Sequence, residues 1–375
     1  MASRRINVVQ IGIGHDHAEL VLRSLYRQPD QFAVLALAVP PCEEALYAER
    51  IRRCREELGV PFMTVEEALS LPELDGAIIE TEEKNLTAYA QLAADKGLHV
   101  HMDKPGGFRH KDFQKLIKTL KEKNLVFTTG YMYRFNPVII DALEKVERGD
   151  IGKVYAVEAH MGGEHPKAKR QWLEQFPGGM TFFLGCHLID LIYRIQGEPE
   201  NVIPLNCSTG KEGVTADDYG MAVLQYPNGV SFAKACVAEP GGFMRRQLVI
   251  CGEKGTIEIR PLEINYFHEH WIEGDQLTKI RQVEQGNGWN ADQDFETSPM
   301  YNRYDDMMKN FAQIIRGEKE NAYPYDYELK LNRLACAAAE KRFNLPFSAA
   351  FPSAQWHPTW WQNPKRTEDQ WECCK

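Results

Sequence analysis

The chain has 375 residues, of which 43% are hydrophobic and 26% charged, and its formal net charge is −9. That length exceeds one ordinary core and implies two domains of a globular protein. The acidic balance excludes nucleic acid and anionic membrane as partners, because phosphate binding requires a basic face. No apolar run approaches the roughly 20 residues that cross a bilayer, and Met1-Ala2-Ser3-Arg4-Arg5 enters a strand pattern without the apolar stretch of a secretory signal. Nine scattered cysteines with no Cys-x-x-Cys pair fit a reducing compartment rather than a disulfide framework or a thiolate metal centre. A cytoplasmic location is expected.

Residues 6–11 read as a strand, 18–27 as a helix, and the continuously apolar 32–39 as a strand buried on both faces. A charged helix over 43–57 follows, then a strand at 76–79, a helix over 84–96, a strand at 99–102, a helix over 111–123 and a strand at 126–129. This alternation predicts a parallel sheet with helices on both faces, and right-handed crossovers make it doubly wound. Beyond Gly130 the pattern changes. A helix over 137–148 begins with Pro137, a position that proline tolerates. Strands are predicted at 154–161, 220–226, 230–237, 247–251 and 256–259, with hairpin turns at Pro227-Asn228-Gly229 and Gly252-Glu253-Lys254-Gly255. The segment 158–172 reads as a charged loop, and helices recur at 304–316 and 327–343. The expected domains are an α/β unit over 1–129 and an α+β unit with an open, mostly antiparallel sheet over 130–348. A tail over 349–375 holds Trp356, Trp360, Trp361 and Trp371, four of the chain's seven tryptophans.

The first strand runs into Gly12-Ile13-Gly14-His15-Asp16-His17. A glycine pair between strand and helix lets backbone amides approach a pyrophosphate, so these six residues are candidate cofactor contacts. His17 replaces the third glycine of the dinucleotide fingerprint. An acidic residue is expected at the end of the second strand to hold the adenosine ribose, but Val39 stands there, with Glu43 and Glu44 slightly beyond. No arginine follows directly to favour a 2′-phosphate. NAD and NADP both remain open, with NAD preferred. His15, Asp16 and His17 are adjacent and cannot easily all face one ion, so a phosphate-loop role is preferred and no metal is expected.

Three further segments occur in order: His101-Met102-Asp103-Lys104-Pro105, then Gly130-Tyr131-Met132-Tyr133-Arg134-Phe135-Asn136-Pro137, then Gly178-Gly179-Met180 leading into Leu184-Gly185-Cys186-His187-Leu188-Ile189-Asp190. In that order and spacing the chain resembles the glucose–fructose oxidoreductase/inositol dehydrogenase (Gfo/Idh/MocA) family over residues 5–345. The resemblance implies a Rossmann domain followed by an α+β domain whose open sheet forms oligomer contacts, giving a homodimer or homotetramer. It implies an active site between them, with Lys104 near the nicotinamide and the substrate hydroxyl and His187 as general acid–base. Asp103, Arg134, Thr81, Glu82 and Asn85 are the further cofactor contacts it implies. The family's usual Asp four residues before the His is Phe183, its Thr-Pro is Thr81-Glu82, and the His that often follows is Leu86.

Asp190 lies three residues after His187, on the same face of a helix, and is a candidate to replace the missing carboxylate. Tyr133 is a candidate cleft contact. His165, Arg170 and Trp172 are candidate substrate contacts, since Trp stacks on a sugar face and Arg binds hydroxyls or carboxylates. The expected activity is NAD(P)-dependent oxidation of a hydroxyl on a sugar, cyclitol or glycoside. A redox-neutral alternative oxidises a sugar carbon, eliminates a substituent and reduces again. A non-catalytic binding protein on the same fold is a third reading, which Lys104 and His187 speak against.

Overall fold

The computed structural model describes residues 4–262, 279–284, 296–297 and 302–340; the tail predicted over 349–375 and the end of the helix predicted over 327–343 lie outside them. Six strands, β1 (Ile6–Ile11), β2 (Phe32–Ala38), β3 (Phe62–Met63), β4 (Gly76–Ile79), β5 (His99–Met102) and β6 (Phe127–Thr129), form a parallel sheet in the order β3-β2-β1-β4-β5-β6. Helices α1 (Ala18–Arg27), α2 (Pro41–Glu44), α3 (Ala48–Leu58), α4 (Val65–Ala68), α5 (Leu86–Asp95) and α6 (His110–Glu122) fill the crossovers. The strands are short and apolar because both faces are covered. Val9, Ile11 and Ile79 pack with Ala90 and Leu116, while Val8 and Ile78 pack with Val21 and Leu25. Strand order reverses between β1 and β4, and a sheet of this kind opens its binding crevice at that switch point.

The helix expected over 43–57 is two helices, because Tyr47 leaves helical geometry (φ −116°, ψ 20°) and engages Glu82 through its hydroxyl. The sequence reading passed over β3, which is only two residues long, and α4, although Thr64 and Glu67 form a reciprocal capping box there.

Helix α7 (Pro137–Arg148), capped by the Asn136 side chain, leads into the second sheet. Its strands are β7 (Val154–Gly162), β8 (Asn201–Cys207), β9 (Tyr219–Tyr226), β10 (Gly229–Cys236), β11 (Gln247–Gly252), β12 (Gly255–Arg260), β13 (Lys279–Glu284) and β14 (Glu296–Thr297), in the order β14-β13-β12-β11-β7-β10-β9-β8. Only the central β7/β10 pair is parallel. Strand β8 was not predicted. It carries Pro204, which breaks the strand signal in sequence but is tolerated on an edge. The segment expected to be a loop over 158–172 instead continues β7 to Gly162 and, after Pro166, forms α8 (Lys167–Trp172).

Helices α9 (Cys186–Gln196), α10 (Asp305–Ile315) and α11 (Tyr325–Ala338) complete the described chain. Leu188, Ile189 and Ile192 of α9 pack on Ala159 and Ile250 of the second sheet, and Phe311 of α10 joins the core that contains Ile6 and Val8. Arg134, just after β6, is the buried tie among these parts. Its guanidinium pairs with Asp190 of α9 at 2.8 Å and with Glu328 of α11 at 2.6 Å. Tyr327 donates to Asp190 at 3.1 Å and Thr129 donates to Glu328 at 2.6 Å, so the three charges are enclosed by partners. Replacing Arg134 by Leu leaves two carboxylates buried without their cation. We expect it to lower unfolding free energy by about 3–5 kcal/mol in chemical denaturation; a change below about 1 kcal/mol would show that the pair does not hold the structure.

Candidate active site

The Gly12 to His17 loop lies at the switch point. Gly12 has φ +97°, and a Cβ there would stand 2.3 Å from the Thr81 nitrogen, so only glycine lets the loop pass the end of β4. The amides of Gly12 and His15 donate to the Ala38 and Glu80 carbonyls, and that of His17 to Nδ1 of His15. Those of Ile13, Gly14 and Asp16 have no acceptor among the described residues, which leaves them for an anion. Arg50 reaches in from α3, donating to the carbonyls of Ile13, Gly14 and His15 at 3.2, 3.4 and 3.3 Å.

Val39, where a ribose-binding acid was expected, is packed in an apolar cluster with Ile13, Leu37 and Ile51. A carboxylate beside the loop comes instead from Glu43, near Gly14. One oxygen accepts from the Glu82 amide at 3.1 Å and from the Asn85 side chain at 2.7 Å. The other has no partner, although it is buried, and lies 2.9 Å from where a Gly14 Cβ would be. Burial raises the Glu43 carboxyl above its ordinary pKa. Open amides, a glycine cradle, a guanidinium and an orphaned buried carboxylate are what the pyrophosphate and a ribose of a dinucleotide require. The residues present therefore fit such a cofactor.

Asp103 and Lys104 follow β5. Lys104 is buried; its ammonium donates to the Phe183 carbonyl at 3.0 Å and stands 4.1 Å from the centre of the Phe183 ring. Phe183 therefore offers the lysine a carbonyl and a π face in place of a carboxylate. The chain from Thr181 to Gly185 is a π-helical turn that delivers His187 on the first turn of α9. The His187 ring is buried, with the Tyr131 and Tyr133 rings edge-on at 5.7 and 5.2 Å and the His17 ring at 6.3 Å. Neither of its nitrogens has a hydrogen-bond partner among the described residues. Burial first, then the Lys104 charge, hold its pKa well below the ordinary histidine value, so the ring is a neutral base.

Asp190 does not take the place of the missing carboxylate. Its oxygens are engaged by Arg134 and Tyr327, and His187 has no bond to it. Arg134 faces that same network rather than the Gly12 loop. Arg170 is likewise turned into the protein, held by Asp218, Glu212 and the Lys211 carbonyl. Trp172 sits edge-on to Phe183 at 5.2 Å, with the Lys169 ammonium over its face at 3.8 Å, and Lys169 bridges to Asp16 at 3.0 Å. His165, half-buried, has its pKa pushed down to about 4, mainly by burial. Thr81 donates to the Glu82 carbonyl, and Glu82 is bound by Tyr47 and Lys84. Glu80 and Glu83, just past the end of β4, are buried carboxyls; burial, with Asp103 alongside, raises Glu80 well above the ordinary value, and burial raises Glu83 to about 7. The sequence reading passed over both, although three acids crowd Glu80-Thr81-Glu82-Glu83 directly after a buried strand. Since Val39 is core, Val39→Asp should lower stability by about 3 kcal/mol or more through an unpaired buried charge, measured by denaturant unfolding. Equal stability with tighter dinucleotide binding would return position 39 to the ribose.

Residues 6–131 match the pattern described as an oxidoreductase family with an NAD-binding Rossmann fold, and residues 139–258 match the GFO/IDH/MocA C-terminal domain. D-xylose 1-dehydrogenase (NADP(+)) 2 of Haloferax volcanii is 25% identical over 52% of this chain and 59% of its own length. The 2,7-anhydro-N-acetylneuraminate hydratase of Mediterraneibacter gnavus is 24% identical over 50% of this chain and 55% of its own. The chain spans about half the length of the curated relatives it matches. The solved structure of KijD10, a 3-ketoreductase from Actinomadura kijaniata in complex with NADP and TDP-benzene, superposes with a TM-score of 0.73 at 15% identity, covering 89% of this chain and 97% of that one, a likeness of fold. With both domain patterns matched in order over well over half of its length, the chain belongs to the Gfo/Idh/MocA oxidoreductase family.

Proposed function

We propose that this protein oxidises a hydroxyl of a sugar, cyclitol or glycoside with NAD. The observation that carries the reading is His187, a buried neutral imidazole whose two nitrogens are unengaged, beside the buried Lys104. A bound nicotinamide supplies the hydride acceptor. Lys104 holds the substrate oxygen by its ammonium and stabilises the charge that develops there, while an His187 nitrogen takes the hydroxyl proton. The Phe183 ring lies against Lys104 and Trp172 lies against Phe183, apolar surfaces that limit water near the ammonium. Glu43 beside Gly14 favours the two hydroxyls of an NAD ribose over a 2′-phosphate, which its carboxylate would repel.

The likeness to a hydratase supports a second reading, a redox-neutral cycle in which transient oxidation acidifies the neighbouring carbon for elimination before re-reduction. The outward face of the second sheet carries Ile203 and Val230, 43% and 53% exposed, together with part-buried Val223, Phe232 and Val249, which supports self-association through that face.

The test is turnover against a panel of sugars, cyclitols and glycosides with each nucleotide. We expect reduced nicotinamide from one of them, faster with NAD than NADP, and a preference that Glu43→Gln narrows. Lys104→Met and His187→Asn should each lower kcat by about 10²–10⁴ while NAD affinity stays within a few-fold. Glycoside cleavage with no net reduced nicotinamide would establish the second reading, and failure of both nucleotides to bind would overturn both.

A further inference from the structure

His15 and His17 point two imidazoles at one carboxylate. Nδ1 of His15 lies 3.2 Å and Nδ1 of His17 3.1 Å from the same Asp103 oxygen, and all three residues are buried. The far side of the His15 ring decides its tautomer. Its Nε2 stands 3.1 Å from the Lys104 carbonyl, which only accepts, so Nε2 carries the hydrogen. Nδ1 of a neutral ring then presents a lone pair, which the His17 amide approaches at 3.2 Å. The Asp103 oxygen lies 3.2 Å from the same Nδ1, so two acceptor atoms converge there, and an ion bound between them takes the place of the long His17 amide contact.

The surroundings match a ligand shell. With metal–ligand bonds of about 2.0–2.1 Å, ligand atoms of a tetrahedral ion stand about 3.3 Å apart, close to the 3.1 and 3.2 Å seen here. A His that ligates through one nitrogen and donates the other N–H to a backbone carbonyl is the usual outer-shell arrangement of metal sites. An independent observation comes from β4. The carboxyls of Glu80 and Glu83 lie 3.8 and 3.6 Å from the His15 ring nitrogens and both are buried, which adds acidic oxygens around the cluster. Asp16, between the two histidines in sequence, turns away to Lys169.

We propose that His15, His17 and Asp103 form a binding site for one divalent transition-metal ion, of the zinc or cobalt class that imidazole and carboxylate ligands suit. The ion joins the loop after β1 to the residue preceding Lys104. This goes beyond the hydride-transfer reading and needs no nucleotide.

The experiment is titration of Co²⁺ into the full-length, chelator-dialysed protein, read by its visible ligand-field absorption and by calorimetry without nucleotide. The expected result is one ion per chain with bands of a nitrogen- and oxygen-ligated ion. His17→Gln and Asp103→Asn should each weaken binding at least as much as loss of an outer-shell partner does, about 10–100-fold, while Asp16→Asn leaves it within about twofold. Circular dichroism establishes that each variant folds; should one fail to, the stoichiometry and spectrum of the unaltered protein decide. Substoichiometric binding, or affinity unchanged in folded His17→Gln and Asp103→Asn, overturns the proposal. A positive result in a protein that binds no dinucleotide would keep the metal site and sink the hydride-transfer reading alone.

Discussion

A single buried guanidinium sets where the candidate site can form. Arg134 sits where the chain leaves the parallel sheet, and it holds Asp190 on α9 and Glu328 on α11 at once. His187 lies one turn before Asp190 on the same helix. The ion triad therefore fixes the helix that carries the candidate base relative to β6, whose neighbour β5 leads into Lys104. Burying three charges costs desolvation that attraction alone rarely recovers. What the triad contributes here is position: α9 is held where His187 meets Lys104, Tyr131 and Tyr133.

Around that fixed point the site has an unusual balance of charge. Dinucleotide loops present amides and positive potential, yet this one is ringed by Glu43, Glu80, Glu82, Glu83 and Asp103. Several are offset locally. Lys84 and Tyr47 bind Glu82, Asn85 and the Glu82 amide bind Glu43, and Arg50 lies along the loop carbonyls. The Glu80 and Glu83 carboxyls have raised pKa values, first from burial and, for Glu80, also from Asp103 beside it. On the other side of Lys104 the family's carboxylate is replaced by Phe183, which makes the His187 environment less polar. The same loop thus offers open amides to an anion and two imidazoles with a carboxylate to a cation.

Much of the architecture was legible in the sequence, because buried parallel strands read as apolar runs and amphipathic helices as periodic ones. β1, β4, β5, α1 and α7 stand where periodicity put them. The errors have physical causes. Pro204 masked an edge strand, Tyr47 interrupted a charged helix to bind Glu82, and the charged stretch after β7, read as a loop, forms α8 behind Pro166. Lys104 and His187 were found through short motifs, whereas their partners were not. Asp103 reaches His15 and His17 only because β4 pairs with both β1 and β5, and Glu328 reaches Arg134 from 194 residues away. Spacing in sequence carries no signal for such contacts. It suggested an Asp190–His187 pair that the stronger Arg134 interaction forestalls.

We propose that Lys104 and His187 face one reacting centre at the nicotinamide. A crystal structure with NAD tests it most directly. We expect the reactive face of the nicotinamide turned toward the Lys104 ammonium and the His187 ring, with the pyrophosphate on the amides of Ile13 and Gly14. A nicotinamide ring bound elsewhere, or NAD held with Lys104 and His187 both walled off from it, would contradict it.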